Sequence, residues 1–172
     1  MATLDFTDRV VIVTGAGLGI GRAHARLLAS RGASVVVGDL GPSSDGAGVV
    51  GADPAGAVVA EITAAGGKAV ACNANVATEE GAHALVDAAL SAFGGLSAVI
   101  NNAGIVRTAP FAEVPDEEYQ RHLDVHYFGA LRVCRAAWSH LLPPASSTRF
   151  RLPCWVTREW PTTAARRAHC SV

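Results

Sequence analysis

The sequence holds a single lysine, Lys68, among 172 residues, with one methionine and two tyrosines. Its basic and acidic residues nearly cancel, leaving a formal net charge of −1. That balance excludes the broad positive field expected of a nucleic-acid-binding or membrane-surface domain. No run reaches the roughly 18 apolar residues that a spanning helix needs. The opening Met1-Ala2-Thr3-Leu4-Asp5-Phe6 carries an acid where a secretory leader would place basic and then apolar residues. The four cysteines, Cys72, Cys134, Cys154 and Cys170, form no C-x-x-C pair, which argues against a metal site or a disulfide framework. Cys72 and Cys134 lie in apolar segments and are expected to be reduced core residues. The expectation is a cytoplasmic protein without a nucleic-acid or membrane partner. Half of the residues are hydrophobic, and the length suffices for one domain with a real core.

The most informative stretch runs from Val10 to Gly21. Val10 to Val13 are four consecutive β-branched apolar residues, the pattern of a parallel strand buried on both faces. Thr14 opens a turn with glycine at 15, 17, 19 and 21. From Ile20 the pattern becomes helical, with Ile20, Ala23 and Leu27 sharing the expected apolar face, and Gly32 ends the helix. Strand, glycine turn and helix start suit a pyrophosphate. Glycines let the backbone approach the phosphates closely, and the free N–H groups of a helix start favour negative charge. A second strand, Ser34 to Gly38, delivers Asp39 about 20 residues past the turn, where a carboxylate can accept hydrogen bonds from ribose hydroxyls. A turn aspartate that caps the following segment is the alternative reading of Asp39.

The spacing Thr14-Gly15-x-x-x-Gly19-x-Gly21, with Asn101-Asn102-Ala103-Gly104 after the apolar run Ala98 to Ile100, resembles the short-chain dehydrogenase/reductase family. The resemblance implies a Rossmann-like, doubly wound parallel α/β sheet with helices on both faces, in strand order 3-2-1-4. It implies hydride transfer with a nicotinamide dinucleotide. By the family pattern the cofactor contacts fall on Thr14, Gly15, Gly17, Leu18, Gly19, Ile20, Gly21, Asp39, Asn75, Val76, Asn102, Ala103 and Gly104. Asp39 favours NAD and repels the additional phosphate of NADP. Asn75, which the family places against adenine, reads equally well as a simple turn residue.

Further along, Leu40 to Gly56 is rich in Gly, Ser, Asp and Pro and reads as a long loop. Helices are expected over Pro54 to Ala65 and Thr78 to Phe93, with a third strand over Lys68 to Asn73 between them. Ala82, Val86, Leu90 and Phe93 form the expected core stripe of the Thr78 helix, and His83 falls outside it. A fourth strand spans Ala98 to Asn101. One long helix is expected over Asp116 to Leu142, with acids in its first turn and Tyr119, Leu123, Tyr127, Ala130, Cys134 and Trp138 as core. Many family members carry an Asn in this helix that helps hold a proton-relay water. His126 stands at the matching place, as a relay candidate or as a packed helix histidine. A His here resembles the (3R)-hydroxyacyl-CoA dehydrogenase units of multifunctional β-oxidation enzymes, as do Val36 to Gly41, Gly66 to Val70 and Arg135 to Trp138. In the family this helix also packs against its copy in a second subunit.

The resemblance covers Met1 to about Leu142 and then stops. The family continues with a fifth strand bearing a catalytic Ser, followed by a Tyr and, four residues later, a Lys. Tyr119 and Tyr127 are each followed four residues on by leucine, and Ser146 and Ser147 lie in a Pro-Pro-Ala-Ser-Ser stretch. Residues 143–172 carry Arg149, Arg151, Arg158, Arg166 and Arg167 against Glu159 alone, and neither strand nor helix periodicity. Leu152 to Val156 is interrupted by Pro153. Two readings of this tail stay open: a genuine basic tail, or the product of a reading-frame shift in a GC-rich gene.

The sequence therefore predicts a dinucleotide-binding domain over 1–142 that is the front portion of an NAD-dependent dehydrogenase, followed by a basic tail. The parent activity would act on a secondary alcohol or ketone, with 3-hydroxyacyl-CoA as a candidate substrate. The chain itself is expected to be inactive and prone to self-association. The alternative is a non-catalytic dinucleotide-binding or partner-binding module.

Overall fold

The computed structural model describes residues 4–41, 53–106 and 108–141. The expectations for the tail, for Cys154 and Cys170 and for the middle of the loop after Asp39 lie outside these residues.

Four parallel strands form one sheet in the order β3-β2-β1-β4, as the resemblance implied. They are β1 (Val10–Thr14), β2 (Ser34–Gly38), β3 (Lys68–Cys72) and β4 (Ala98–Ile100). Every residue of β1 is buried, which is why its sequence is a run of β-branched residues rather than an alternation. Ile12 pairs with Val36 on one side and Val99 on the other. Among the described residues β4 pairs with β1 alone.

Helices cover both faces. On one, α1 (Gly19–Ser30) and α2 (Pro54–Ala64) enclose Val11, Val13, Val35 and Val37 with Ala25, Val58 and Ile62. On the other, α3 (Glu79–Phe93) and α5 (Ala130–Leu141) pack Leu85, Val86 and Val133 against Val10, Ile12 and Val36. Asp53 caps α2, its carboxylate accepting from the Gly56 N–H at 2.9 Å, so the expected loop ends there. The Thr78 hydroxyl caps α3 by accepting from the Gly81 N–H at 3.0 Å. An ion pair ties α1 to α2, with Arg22 donating to both carboxylate oxygens of Glu61 at 2.8 Å. Among the described residues no helix is long and apolar enough to cross a membrane.

Three expectations need correction. Ile20, Ala23 and Leu27 do not face the core: Ile20 is 71% and Leu27 50% exposed. The face of α1 that meets the sheet is Gly21, Ala25 and Ala29. A helix this close to a sheet needs small residues; a Cβ on Gly21 would run into the Gly15 backbone and the Asn102 side chain. In α3 the buried stripe is Ala82, Leu85, Val86 and Ala89, with Leu90 and Phe93 only partly covered; His83 is exposed as expected.

The third correction concerns the long helix. It runs as α4 (Asp116–Leu123), one wide π-helical segment (Asp124–Gly129) and α5. Helical backbone angles continue through both junctions, so the axis is not broken. Tyr119, Leu123 and Tyr127 are exposed rather than core, and the buried positions are Gly129, Val133 and Ala137. The π segment adds one residue per turn and rotates the helix face, so no single 3.6-residue stripe runs through both halves.

Candidate cofactor cleft

The cleft lies at the C-terminal ends of the four strands, lined by Gly15 after β1, Gly38 and Asp39 at the end of β2, Ala74 and Asn75 after β3, and Asn102 after β4. Thr14, buried at 2% exposure, organises its floor. Its hydroxyl accepts from the backbone N–H groups of Asn102 and Ala103, each at 3.0 Å, and donates to the Ile100 carbonyl at 3.4 Å. Those three bonds exhaust what a hydroxyl can make. The Asn102 side chain answers in reverse, its amide nitrogen donating to the carbonyls of Thr14 and Gly15, both at 3.0 Å. The loop after β4 is thereby stitched to the glycine turn after β1.

The glycines serve close approach. A Cβ on Gly15 would stand 2.7 Å from the Ala103 Cα, and Gly15 also has a φ of +62°. A Cβ on Gly17 would stand 2.6 Å from Pro54 and 2.8 Å from the Asp39 carboxylate. Around Gly19, at φ +54°, such an atom would meet nothing within 4 Å, so this turn faces open space. Unlike α2 and α3, α1 starts without a side-chain cap: Leu18 stands at its N-cap, and the positive end of the helix opens beside the turn.

Asp39 lies just past β2. Its carboxylate accepts from the Gly17 N–H at 2.8 Å with one oxygen and from the Gly41 N–H at 2.9 Å with the other. The turn-aspartate reading and the ligand reading are thus compatible, because Asp39 also lines the cleft. Asn75 likewise does both: its side-chain oxygen accepts from the Ala77 N–H at 3.0 Å, an Asx turn, and the residue lines the cleft with Val76.

The cleft encloses about 660 Å³. Of the residues singled out by the sequence, it brings together Gly15, Leu18, Asp39, Asn75, Val76, Asn102, Ala103 and Gly104. Thr14 and Gly21 sit behind the wall, Gly17 and Gly19 shape the turn, and Ile20 is exposed at the start of α1. The far wall went unforeseen: Glu117, Gln120, Arg121, Asp124 and Val125 from α4 and the π segment. The recurrence of polar residues at 117, 120, 121 and 124 was the available signal, a helical stripe opposite the aromatic one.

His126 does not line the cleft. Its Nε2 lies 3.1 Å from the Ile105 amide nitrogen and 2.8 Å from the Ile105 carbonyl oxygen. Tyr119 and Tyr127 are exposed, and Lys68 begins β3, the strand at the opposite edge of the sheet from β4. The described residues hold no cluster of three or more His, Cys, Asp or Glu able to bind a metal. Cys72 and Cys134 are free thiols, and burial pushes the Cys72 thiol up, away from reactive thiolate.

With this geometry established, the comparisons with known proteins are consistent in kind. The short chain dehydrogenase family matches residues 9–148. The chain is 50% identical over 133 residues to a short-chain type dehydrogenase/reductase of Mycobacterium tuberculosis, covering 77% of this chain and 46% of that protein. It is 48% identical over 138 residues to the peroxisomal multifunctional enzyme type 2 of Mus musculus, covering 80% of this chain and 18% of that protein. Among solved structures, a 7α-hydroxysteroid dehydrogenase complexed with NADH and 7-oxo glycochenodeoxycholic acid superposes with a TM-score of 0.69 at 33% identity, covering 79% of this chain and 49% of that one. The chain thus spans about half the length, or less, of the relatives it matches.

Proposed function

The chain belongs to the short-chain dehydrogenase family, and from that premise we propose that it binds a nicotinamide dinucleotide, NAD in preference to NADP, in the cleft at the C-terminal ends of the strands. The observation that carries the reading is Asp39: a carboxylate anchored by two backbone N–H groups at the mouth of an uncapped helix start. The residues fit the cofactor. The open turn at Gly19 and the start of α1 suit the pyrophosphate, Asp39 the adenosine ribose, Asn75 and Val76 the adenine. A 2′-phosphate at the same ribose would meet the Asp39 charge. The bound cofactor would supply hydride transfer; this chain's own residues bind and orient it.

The parent activity in this reading is oxidation of a secondary alcohol or the reverse reduction of a ketone, with a 3-hydroxyacyl-CoA as the favoured substrate. Similarity to the peroxisomal multifunctional enzyme supports that choice. We propose that the functional domain is 1–142, that the protein works in a reducing compartment such as the cytoplasm, and that the exposed Leu123, Tyr127 and Phe128 belong to a homo-oligomeric contact. A second reading, a dinucleotide-binding module without turnover, is favoured by one fact: no lysine follows either tyrosine at four residues, and Lys68 stands on the far strand.

The test is a fluorescence titration of the 172-residue chain with NADH and NADPH. NADH should bind more tightly, and Asp39→Ala should narrow the difference. Tighter binding of NADPH by the unmodified chain refutes the role given to Asp39.

A further inference from the structure

The loop after β4 is stitched to the glycine turn at Asn102 and Ala103, but its next two residues are held from the other side of the cleft. The imidazole of His126 reaches the Ile105 peptide, with Nε2 3.1 Å from its nitrogen and 2.8 Å from its oxygen. Gly104 makes room for it. A Cβ at 104 would stand 2.6, 3.1 and 3.4 Å from Cε1, Nδ1 and Nε2 of this ring, which are its three nearest atoms. Gly104 is not among the positive-φ glycines, so the backbone does not demand glycine there; the ring does.

The ring is fixed on its other side as well. His122 stacks parallel to it, with centroids 5.9 Å apart and planes within 6°. His122 is itself anchored, its Nδ1 2.8 Å from the Glu118 carbonyl oxygen one turn earlier in α4. His126 sits in the middle of the π segment Asp124–Gly129, the kind of widened turn that re-aims a side chain. Asp124 and Val125 of that segment, and Gly104 and Ile105 of the loop, line the same cleft.

We propose that His126 is a positioning residue: its imidazole, seated in the space left by Gly104, latches the Ile105 peptide to the π segment and so holds the cleft wall Asn102–Ile105 in its cofactor-binding form. The inference rests on the dinucleotide reading above and assigns a role that neither the relay nor the packed-histidine expectation contained. A single ring nitrogen makes one of the two bonds at a time. With the proton on Nδ1 it accepts from the Ile105 N–H; with the proton on Nε2 it donates to the Ile105 carbonyl. Either tautomer closes the latch with the same nitrogen, and that nitrogen is committed to the backbone rather than aimed into the cleft.

The experiment compares the unmodified chain with His126→Ala, His126→Asn, Gly104→Ala and the double variant Gly104→Ala/His126→Ala. NADH affinity is read by fluorescence, and backbone amide exchange over residues 101–106 by mass spectrometry. Losing the latch should weaken NADH about 3- to 10-fold, the worth of one partly solvated hydrogen bond, and should speed exchange in the loop. His126→Asn, whose amide offers both a donor and an acceptor, should restore most of both. Gly104→Ala should mimic His126→Ala by displacing the ring, and the double variant should be no worse than either single one. Unchanged exchange in His126→Ala, unchanged NADH affinity, or additive losses in the double variant would each overturn the proposal. If His126→Ala does not fold, His126→Asn and Gly104→Ala carry the same comparison. An unmodified chain that binds no NADH sinks the cofactor reading, and the exchange data then decide the latch by themselves.

Discussion

Replacing Thr14 by valine tests the stitch between the two motifs. Valine has nearly the shape of threonine and suits a strand, so packing around position 14 is preserved. What disappears is the hydroxyl that accepts from the N–H groups of Asn102 and Ala103 at 3.0 Å and donates to Ile100 at 3.4 Å. The donation is long and weak. The two accepted bonds matter more, because Thr14 is buried at 2% exposure and an isopropyl group leaves both N–H groups facing carbon. Each orphaned donor costs about 1–3 kcal/mol, and the partial exposure of the loop favours the lower half of that range, so the substitution should cost about 2–4 kcal/mol. The usual stability of a domain is only about 5–15 kcal/mol. Thr14→Ser is the control. It keeps the hydroxyl and loses one methyl group, about 1 kcal/mol. Urea unfolding followed by circular dichroism reads both, provided that unfolding is two-state. The refuting result is a valine variant no less stable than the serine variant; the β1–β4 bonds would then contribute nothing net.

Three further outcomes are expected. The purified 172-residue chain should show no hydride transfer with NAD and any secondary alcohol or 3-hydroxyacyl-CoA, since a positioned general acid–base group contributes about 100- to 10,000-fold; robust turnover that disappears in His126→Ala would show a replacement acid where a positioning ring is assigned. The chain should elute from a sizing column as an associated species, because β4 presents an open edge among the described residues and Leu123, Tyr127 and Phe128 are exposed; a sharp monomer peak with a cooperative melt above about 60 °C contradicts this. The hydrogen bond from Arg22 holds the Glu61 carboxyl below its ordinary value. A carboxylate whose folded pKa is depressed stabilises the fold at pH above its unfolded value of 4.5 and loses that contribution as the pH falls through the lower folded value. Glu61→Gln should therefore flatten the acid limb of the stability profile over that window and leave the cleft's NADH affinity unchanged; an unaltered acid limb counts against the ion pair.

Local chemistry was enough for much of this protein. The run Val10 to Val13 could only be a strand buried on both faces. The glycines at 15 and 17 announced a backbone in close approach, and the order of strand, turn, helix, strand and Asp39 pointed to the dinucleotide proposed for the cleft. The glycine stop at 32 and the helix start at Thr78 fell where the structure has them. All of these depend on residues close together in the chain, with conformational demands that their side chains declare.

What failed to show was packing by small residues. On α1 the large Ile20 and Leu27 drew the eye, while the sheet is met by Gly21, Ala25 and Ala29. On α5 the contact is carried by Val133 and Ala137 after Gly129, not by the aromatic stripe of α4. A close helix approach is limited by backbone separation, which rewards missing atoms, and hydropathy patterns count atoms that are present. The π segment was equally silent: His126 within it meets Ile105, and α5 after it packs on α3, and neither contact is local. The same holds for the stitch of Thr14 to Asn102 and for the ring of His126 in the space at Gly104. These join residues more than 20 positions apart, and only the tertiary fold decides that they meet.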